Sequence, residues 1–368
     1  MKTSTKNTVI CILFGCFFVL MFLGCLFLPK AEFSYSERRK LAQMMPVTSE
    51  SITSGSAMTS FEKYSTDNFP GRDLFRSLKA ITSSYLFRRL DNNNIYVHGG
   101  YAAAIEYPIK EDSLDYAVSR FRNVYDTLLA EANAHIYLSV IPDKGAFLAD
   151  KSGRPSMDYG QFEAMMADKT KDFAEYIQIS DLLELSDYYK TDTHWRQENI
   201  TDVADRLAAA MGASLSGNYT THQLDHGFHG VYYGQAALPL PTEPLYYLTS
   251  PDMDACLVYN GEKNNAAMGM YDQELGVGYD PYELFLSGSL SLITIENPNA
   301  ATDRHLVLFR DSFGSSIAPL LSSGYAKVTL IDIRYIQPYV LGNFVDFENA
   351  DVLFLYSTLV LNNSSTIR

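Results

Sequence analysis

Asp192, His194 and Trp195 lie within four consecutive positions of the segment 188–195. An aspartate and a histidine separated by one residue fall on the same side of an extended segment, whereas on a helix they would point apart. In the extended arrangement the carboxylate accepts a hydrogen bond from Nδ1–H, which leaves Nε2 free to act as a base. The segment therefore indicates an oriented histidine base, although a buried His–Asp pair with a purely structural role would use the same residue types.

The best candidate for a nucleophile that such a base would serve is Ser312. It follows the apolar run 305–309, a predicted buried strand, and precedes Gly314 and a predicted helix over 317–321. This is the strand–turn–helix context of a nucleophile elbow, although G-x-S-x-G itself is absent. The hydroxyl would lie at the carboxyl edge of a sheet, where backbone N–H groups at the helix start can receive an oxyanion. The alternative is that Ser312 and its polar neighbours only cap the helix.

Four further residues are predicted to contact substrate. Arg334 follows the apolar run 328–331, and a structural ion pair is its alternative role. Lys144 follows the apolar run 135–141 in the same way, with weaker support. Trp195 and Tyr189 could stack on the faces of sugar rings, although aromatic side chains more often fill the core.

Three histidines are spaced as H-x3-H-x2-H, at His222, His226 and His229. Gly227 and Gly230 argue against the rigid helix that a metal site of this spacing prefers, and no carboxylate completes a familiar motif. We therefore expect a loop of exposed histidines, no metal site and no cofactor.

Apolar runs alternate with amphipathic helical patterns along most of the chain. Continuous apolar strands are typical of parallel sheets that are buried on both faces. The pattern predicts an α/β sandwich with a mostly parallel sheet, interrupted by a long excursion over 217–285. The predicted helices cover 74–86, 114–129, a segment beginning near 159, 198–211 and 317–321, and the predicted strands cover 95–97, 135–141, 177–183, 290–296, 305–309, 328–331 and 352–356.

An uncharged apolar run over 8–29 is long enough to cross a bilayer as a helix. Lys2 and Lys6 precede it, as expected for a cytoplasmic N-terminus, although basic residues follow it as well. A cleaved signal peptide is less favoured, because the run is long and lacks a small-x-small exit. Leu23-Gly24-Cys25 is only a faint lipoprotein pattern, since the apolar run continues past Cys25. The predicted organisation is a cytoplasmic tail (1–7), a transmembrane anchor (8–29), a juxtamembrane linker (30–60) and one catalytic domain (61–368).

The composition argues against nucleic acid as a partner, and against disulfides and cysteine-based zinc sites outside the apolar run. A formal net charge of -14 argues against nucleic acid, because phosphate binding requires clustered lysine and arginine. Three of the four cysteines lie in the apolar run, and only Cys256 remains outside it. The rest of the chain therefore has no internal disulfide and no zinc site built from cysteines.

Five short motifs, taken together, resemble the DHHW family, a membrane-anchored bacterial branch of the SGNH-hydrolase-like proteins that is similar to the alginate O-acetyltransferases. The similarity spans nearly all of the chain after residue 60. Thr193 replaces the first histidine of the family motif, but the alginate relatives also use Asp-x-His, so the pair Asp192–His194 is intact. The motifs are Phe69-Pro70-Gly71-Arg72, Ile141-Pro142-Asp143-Lys144, Tyr189-x-x-Asp192-Thr193-His194-Trp195, Arg310-Asp311-Ser312-Phe313 and Asp332-x-Arg334-Tyr335.

The resemblance implies a three-layer SGNH-hydrolase-like sandwich with a Ser312–His194–Asp192 triad that transfers acyl groups. It also implies an O-acetyltransferase or acetylesterase, anchored in the cell membrane by one helix and acting outside the cytoplasm on a cell-surface or exported polysaccharide. A polytopic membrane O-acyltransferase is the implied acetyl source. The alternative from another class is a non-catalytic glycan-binding or scaffold protein in a polysaccharide-modification assembly.

Overall fold

A computed structural model describes residues 3–368 of the chain, so Met1 and Lys2 of the predicted cytoplasmic tail lie outside the described residues. The chain forms two compact units. The first contains the residues up to Asn93 together with Gly234–Pro239, and the second contains Asn94–Tyr233 and Leu240–Arg368.

The first unit begins with a long apolar helix. Within it, Thr5–Phe27 is long and apolar enough to cross a membrane, and none of that apolar window is buried. The helices and strands of this unit are α1 (Thr3–Phe27), β1 (Phe33–Ser34), β2 (Arg39–Lys40), α2 (Ser49–Thr53), α3 (Ser56–Asp67) and α4 (Arg72–Ile81), and a π-helical turn (Thr82–Leu86) continues α4.

Residues 30–60, predicted as a linker, contain regular structure instead. The antiparallel pair β1–β2 and the helix α2 both lie within this range. Polar contacts hold them: Thr48 and Ser51 form a capping box at the start of α2, and Arg39 donates two hydrogen bonds to the Asp67 carboxylate. Such contacts leave no apolar periodicity in the sequence, which is why the pattern did not predict these elements.

The second unit contains the remaining elements. In chain order they are β3 (Ile95–His98), β4 (Tyr101–Ala104), α5 (Glu111–Val124), β5 (His135–Ile141), α6 (Gly145–Ser152), α7 (Tyr159–Thr170), β6 (Glu175–Tyr176), α8 (Thr201–Ala210), β7 (Thr220–Phe228), α9 (Val231–Ala236, which ends in the first unit), β8 (Glu243–Thr249), α10 (Pro251–Ala255), β9 (Leu257–Asn260), β10 (Ala266–Met268), α11 (Gln273–Gly276), β11 (Leu292–Glu296), β12 (His305–Arg310), α12 (Gly314–Leu321), β13 (Lys327–Ile331), β14 (Asp351–Ser357) and α13 (Thr358–Leu361).

An eight-stranded sheet with the order β10-β9-β11-β13-β12-β14-β5-β6 forms the centre of this unit. The five strands from β13 to β6 pair in parallel, and the three strands at the other edge are antiparallel. Every residue of β14 is buried, as expected for a strand covered on both faces. The prediction of an α/β fold with a mostly parallel sheet is confirmed.

Side chains that alternate along the central strands enter two separate cores. Leu308 and Leu353 pack on one face with residues of α8 and α12, whereas Phe309 and Phe354 pack on the other face with residues of α5 and α7. This two-residue period produces the expected three layers, with the sheet between two sets of helices.

Two parts of the fold differ from the predictions. No strand forms over 177–183, where one was predicted. The two-residue strand β6 (Glu175–Tyr176) ends just before this range, and Ser180–Leu182 forms a 3-10 turn. The apolar residues Ile177, Ile179 and Leu183 of this range are buried, and the Ile177 N–H donates to the Leu138 carbonyl of β5 (2.8 Å). Their burial explains why the sequence has the apolar pattern of a strand. The excursion over 217–285 contains the β7–β8 pair, but its strands β9 and β10 extend the central sheet through β11.

Candidate active site

Ser312 lies in the turn that joins β12 to α12, at the carboxyl edge of the parallel strands. It is partly exposed, while Asp311 and Phe313 on either side are buried. The Asp311 carboxylate accepts hydrogen bonds from the Phe313 N–H (3.0 Å) and from the N–H and Oγ–H of Ser357 (2.8 and 2.6 Å) at the end of β14. The turn is therefore fixed to the neighbouring strand. Ser312 does not cap the helix, since the N-cap position belongs to Phe313.

The segment that carries Asp192 and His194 is a tight loop and not the extended segment that we predicted. Tyr188 and Trp195 form an antiparallel bridge, and the Tyr189 N–H donates to the His194 carbonyl (3.1 Å). Asp192 and His194 still meet, because Asp192 Oδ1 accepts from both the His194 N–H (3.1 Å) and the ring Nδ1 (2.6 Å). The carboxylate thus fixes the loop and the ring together.

The three predicted catalytic side chains form one hydrogen-bonded chain. His194 Nε2 lies 2.7 Å from Ser312 Oγ, although the two residues are 118 positions apart in sequence. Asp192 is fully buried, and His194 is nearly so. With Nδ1–H donated to the carboxylate, Nε2 is placed to accept the Ser312 proton, which is the geometry that a nucleophilic serine requires.

Aromatic rings fix the plane of the imidazole. The Tyr282 ring stacks on His194 with centroids 3.8 Å apart and planes 5° from parallel, and the Phe313 ring lies 4.9 Å away at a steeper angle. The Tyr282 hydroxyl is hydrogen-bonded to Ser316 Oγ in α12 (2.7 Å). Tyr282 therefore connects the base to the helix that follows the nucleophile. No sequence pattern marked Tyr282, because it lies in the excursion over 217–285, which shows no sustained period.

Trp195 is fully buried, so its ring is not available to a sugar as we predicted. Its Nε1–H donates to the Phe313 carbonyl (3.2 Å) and to Ser316 Oγ (2.8 Å). The indole joins the histidine loop to the first turn of α12. Its function in this structure is to hold the two halves of the site in register.

Tyr189 is also fully buried, and its ring packs against Phe228 at a centroid distance of 5.0 Å. A sugar ring cannot reach it there, contrary to the prediction. Among the described residues its hydroxyl has no hydrogen-bond partner. What Tyr189 contributes to the site is its backbone carbonyl.

Lys144 binds that carbonyl from beneath the loop. Its Nζ donates to the carbonyls of Tyr189 (2.8 Å) and Lys190 (3.2 Å), and only 1% of its surface is exposed. Burial lowers the pKa of Lys144 to about 7, against the attraction of nearby carboxylates such as Glu243. Lys144 therefore contacts the protein backbone and not solvent, which differs from the predicted substrate contact.

Glu243 binds the same peptides from their N–H side. Its carboxylate accepts from the N–H groups of Lys190 (2.7 Å) and Thr191 (2.8 Å) and from the Thr191 hydroxyl (2.9 Å). A buried amine thus holds the carbonyls and a buried carboxyl group holds the N–H groups of the residues just before Asp192. No sequence motif marked Glu243.

The histidine-rich segment supports Asp192 through its glycine. An added Cβ at Gly230 would lie 2.2 Å from the Asp192 Cα, and the next N–H, of Val231, donates to Asp192 Oδ2 (2.9 Å). The histidines themselves do not form the exposed loop that we predicted. His222 lies on β7, stacks on Tyr247 and is hydrogen-bonded to Thr249, and His226 also lies on β7.

Arg334 lies beyond the end of β13, which is the neighbour of β12 in the sheet. Its Nε and terminal nitrogen bind the two oxygens of Asp332 at 2.9 and 2.7 Å, and 16% of its side chain is exposed. It shares Asp332 with Arg310, which is fully buried. The structural ion pair is present, and the side chain is partly exposed.

No family model matches the sequence, and no curated protein matches it either. Solved structures do share its fold. A DHHW family protein from Eubacterium siraeum has a TM-score of 0.59 and 19% identity over 75% of this chain and 95% of its own. Bacillus cereus PatB1 with a sulfonyl adduct has a TM-score of 0.56 and 18% identity over 73% of this chain and 97% of its own. The O-acetyltransferase domain of Pseudomonas putida AlgJ has a TM-score of 0.46 and 12% identity. At the level of the fold, the resemblance to a DHHW family protein is confirmed.

Proposed function

We propose that this chain is an SGNH-type O-acetyltransferase or acetylesterase that acts on a cell-surface or exported polysaccharide through an acyl-enzyme. One observation carries the proposal. Ser312, partly exposed at the carboxyl edge of the sheet, is hydrogen-bonded to His194 Nε2, and Nδ1 of the same ring is hydrogen-bonded to Asp192. This is the arrangement of nucleophile, base and orienting carboxylate that acyl transfer requires.

The reaction proceeds in two steps that use the same three side chains. His194 takes the proton of Ser312 as Oγ attacks the acetyl ester carbonyl, and it then gives that proton to the departing alcohol. In the second step His194 deprotonates a sugar hydroxyl or a water as its oxygen attacks acetyl-Ser312, and it then gives that proton to the departing Ser312 Oγ, which restores the free serine. Asp192 stabilises the imidazolium in both steps.

The proposed setting is the outer surface of the cell membrane. There α1 is an uncleaved single-pass anchor, and a polytopic membrane O-acyltransferase supplies the acetyl group. The length and apolar character of Thr5–Phe27 support the anchor. If this chain and the O-acyltransferase lie in the same membrane, the effective concentration of each protein near the other is raised. Arg334 is the proposed substrate contact, because it is partly exposed at the same sheet edge as Ser312.

An aryl sulfonyl fluoride tests the proposal, because such reagents modify activated hydroxyl groups. The full-length chain in mild detergent should be labelled on the peptide that contains Ser312. Labelling should disappear in Ser312→Ala and fall strongly in His194→Ala, since the serine then lacks its base. Ser315→Ala is the matched control: its hydroxyl is buried in the next turn and has no hydrogen-bond partner among the described residues, so labelling should be unchanged.

The opposite result would favour the non-catalytic alternative. If no serine is labelled, or if labelling is the same with and without His194, the hydrogen-bonded chain does not activate Ser312. Retention of polysaccharide binding by wild type, Ser312→Ala and His194→Ala would then identify a glycan-binding or scaffold protein.

A further inference from the structure

Helix α4 presents its apolar side to solvent. Leu74, Leu78 and Ile81 recur at three-to-four spacing, so they lie on one side of the helix. Leu74 is 72% exposed and Leu78 is 57% exposed, whereas the only buried residue of α4 is Ala80. An amphipathic helix of a water-soluble protein normally turns its apolar stripe inward. Here that orientation is reversed.

The exposed stripe continues beyond α4. Tyr85, which is 71% exposed, lies on the same side, and exposed apolar residues follow it up to Leu90. Scattered exposed apolar side chains are normal, but a contiguous set marks an interaction surface. We call this set the apolar stripe; it consists of Leu74, Leu78, Ile81, Tyr85, Leu86, Phe87 and Leu90.

Polar contacts keep the other side of α4 against the rest of the first unit. Arg76 donates to the Gly234 carbonyl (2.7 Å) and pairs with Glu37 (3.1 Å), and Arg72 also pairs with Glu37. The orientation of the helix is therefore set by ionic and hydrogen-bonding partners. These contacts leave the apolar stripe facing outward.

The start of α4 lies against the C-terminal part of α1. An added Cβ at Gly24 of α1 would lie 2.9 Å from the Pro70 side chain, so these two segments are in close contact. Leu28, Phe69 and Leu74 line one cavity between the end of α1 and the start of α4. If α1 crosses a bilayer, its C-terminal end lies at the bilayer surface, and α4 begins at that depth.

The charges near the apolar stripe also suit the surface of a bilayer. Residues 72–91 include five basic and two acidic residues, although the whole chain has a net charge of -14. Arg72 and Arg76 pair with Glu37, which leaves Lys79, Arg88 and Arg89 as the exposed basic residues of this segment. Arg88 and Arg89 are exposed beside the aromatic end of the stripe. Aromatic rings and arginines are typical of the headgroup region, and basic residues there are attracted to anionic lipids.

We propose that the apolar stripe lies in the interfacial layer of the bilayer that α1 crosses, so that α4 is a second membrane contact beside the anchor. The occupant of the surface is lipid. This inference rests on the membrane insertion of α1 proposed above and does not depend on the chemistry of Ser312. The contact would fix the first unit against the membrane surface, which a single flexible tether would not do.

Tryptophan quenching by brominated lipids tests the contact in the full-length chain. Leu78→Trp and Lys79→Trp variants are reconstituted in phosphatidylethanolamine–phosphatidylglycerol vesicles with and without brominated acyl chains. Both positions are exposed, and they differ by about 100° around the same helix. The unmodified chain, whose only tryptophan is the buried Trp195, supplies the baseline. The added fluorescence at position 78 should be blue-shifted and lose a larger fraction to bromine than that at position 79.

Three results would overturn the proposal. The first is fluorescence at position 78 that is quenched no more than at position 79. The second is release of the chain from the vesicles by alkaline carbonate, which would show that α1 is not inserted. The third is cross-linking between copies through position 78, which would assign the stripe to a second copy of the chain. Acetyl ester hydrolysis, measured on the same vesicles, shows separately whether the proposed chemistry holds.

Discussion

Replacing Asp192 with asparagine should lower the hydrolysis of a small acetyl ester by the full-length chain about 10⁴-fold, the size of effect seen when a triad aspartate loses its charge. The reason lies in the donors that surround this carboxylate. Oδ1 accepts from two groups of His194, and Oδ2 accepts from the Val231 N–H. An asparagine has one oxygen for these two positions, so its amide nitrogen must face a donor on one side.

Either orientation of the asparagine harms the site. If the amide nitrogen faces His194, the ring must accept at Nδ1 and carry its proton on Nε2, where it cannot take the proton of Ser312. If it faces Val231, a partly buried N–H loses its acceptor, which lowers the stability of the fold. The exposed Asp225→Asn is a matched control that should keep wild-type activity. A rate for Asp192→Asn within tenfold of wild type would contradict the assigned role of Asp192.

Replacing Lys144 with methionine should destabilise the fold by about 1–3 kcal/mol at pH 9, the cost of one orphaned buried carbonyl. Methionine has a similar length but donates no hydrogen bond, so the buried carbonyl of Tyr189 loses its donor, whereas the partly buried carbonyl of Lys190 keeps the Ala102 N–H (2.7 Å). Activity should fall as well, because these carbonyls belong to the loop that ends in Asp192 and His194. Urea unfolding followed by the fluorescence of the buried Trp195 measures the change.

The destabilisation by Lys144→Met should grow as the pH rises. Burial lowers the pKa of Lys144 to about 7, below the ordinary lysine value near 10.4 that applies in the unfolded chain. Between these values the unfolded chain binds a proton that the folded chain does not, so the stability of wild type rises by about 1.4 kcal/mol per pH unit. Lys144→Met lacks this increment. Its deficit relative to wild type should therefore be about 2–3 kcal/mol larger at pH 9 than at pH 7.

The exposed Lys151→Met, on the same helix α6, is the control for this measurement. It removes a lysine without orphaning a buried carbonyl, so its effect should stay within about 0.5 kcal/mol at both pH values. A deficit for Lys144→Met that is constant or shrinks between pH 7 and pH 9 would contradict a buried lysine that loses its proton in this range.

Local sequence predicted the central strands of the sheet and put forward Asp192, His194 and Ser312 as candidates, and the family resemblance joined them into a triad. The continuous apolar runs of β12 and β14 fixed these strands at the centre of a parallel sheet, which brought Ser312 to its carboxyl edge. The Asp-x-His spacing of Asp192 and His194 suggested their contact, although the loop that makes it is tighter than an extended segment.

The roles of the supporting residues could not be predicted, because they depend on contacts between distant segments. A lysine after a strand is usually exposed, and Lys144 is buried only because the loop 188–195 folds over it. The sequence did not indicate that Gly230 lies against Asp192, and this contact is visible only in the structure. The strand β7 could have been predicted from the sequence. His222, Leu224, His226 and Phe228 alternate with more exposed residues in the two-residue period of a strand.

Trapping of an acetyl group on Ser312 tests the central claim most directly. The full-length chain is mixed with p-nitrophenyl acetate, quenched during the first turnover, and digested for peptide mass spectrometry. The proposed mechanism predicts a burst of p-nitrophenol that matches the amount of enzyme, together with one acetyl group on Ser312 and none on Ser315 or Ser316. Acetylation confined to surface lysines, with no burst and no change in Ser312→Ala, would contradict it.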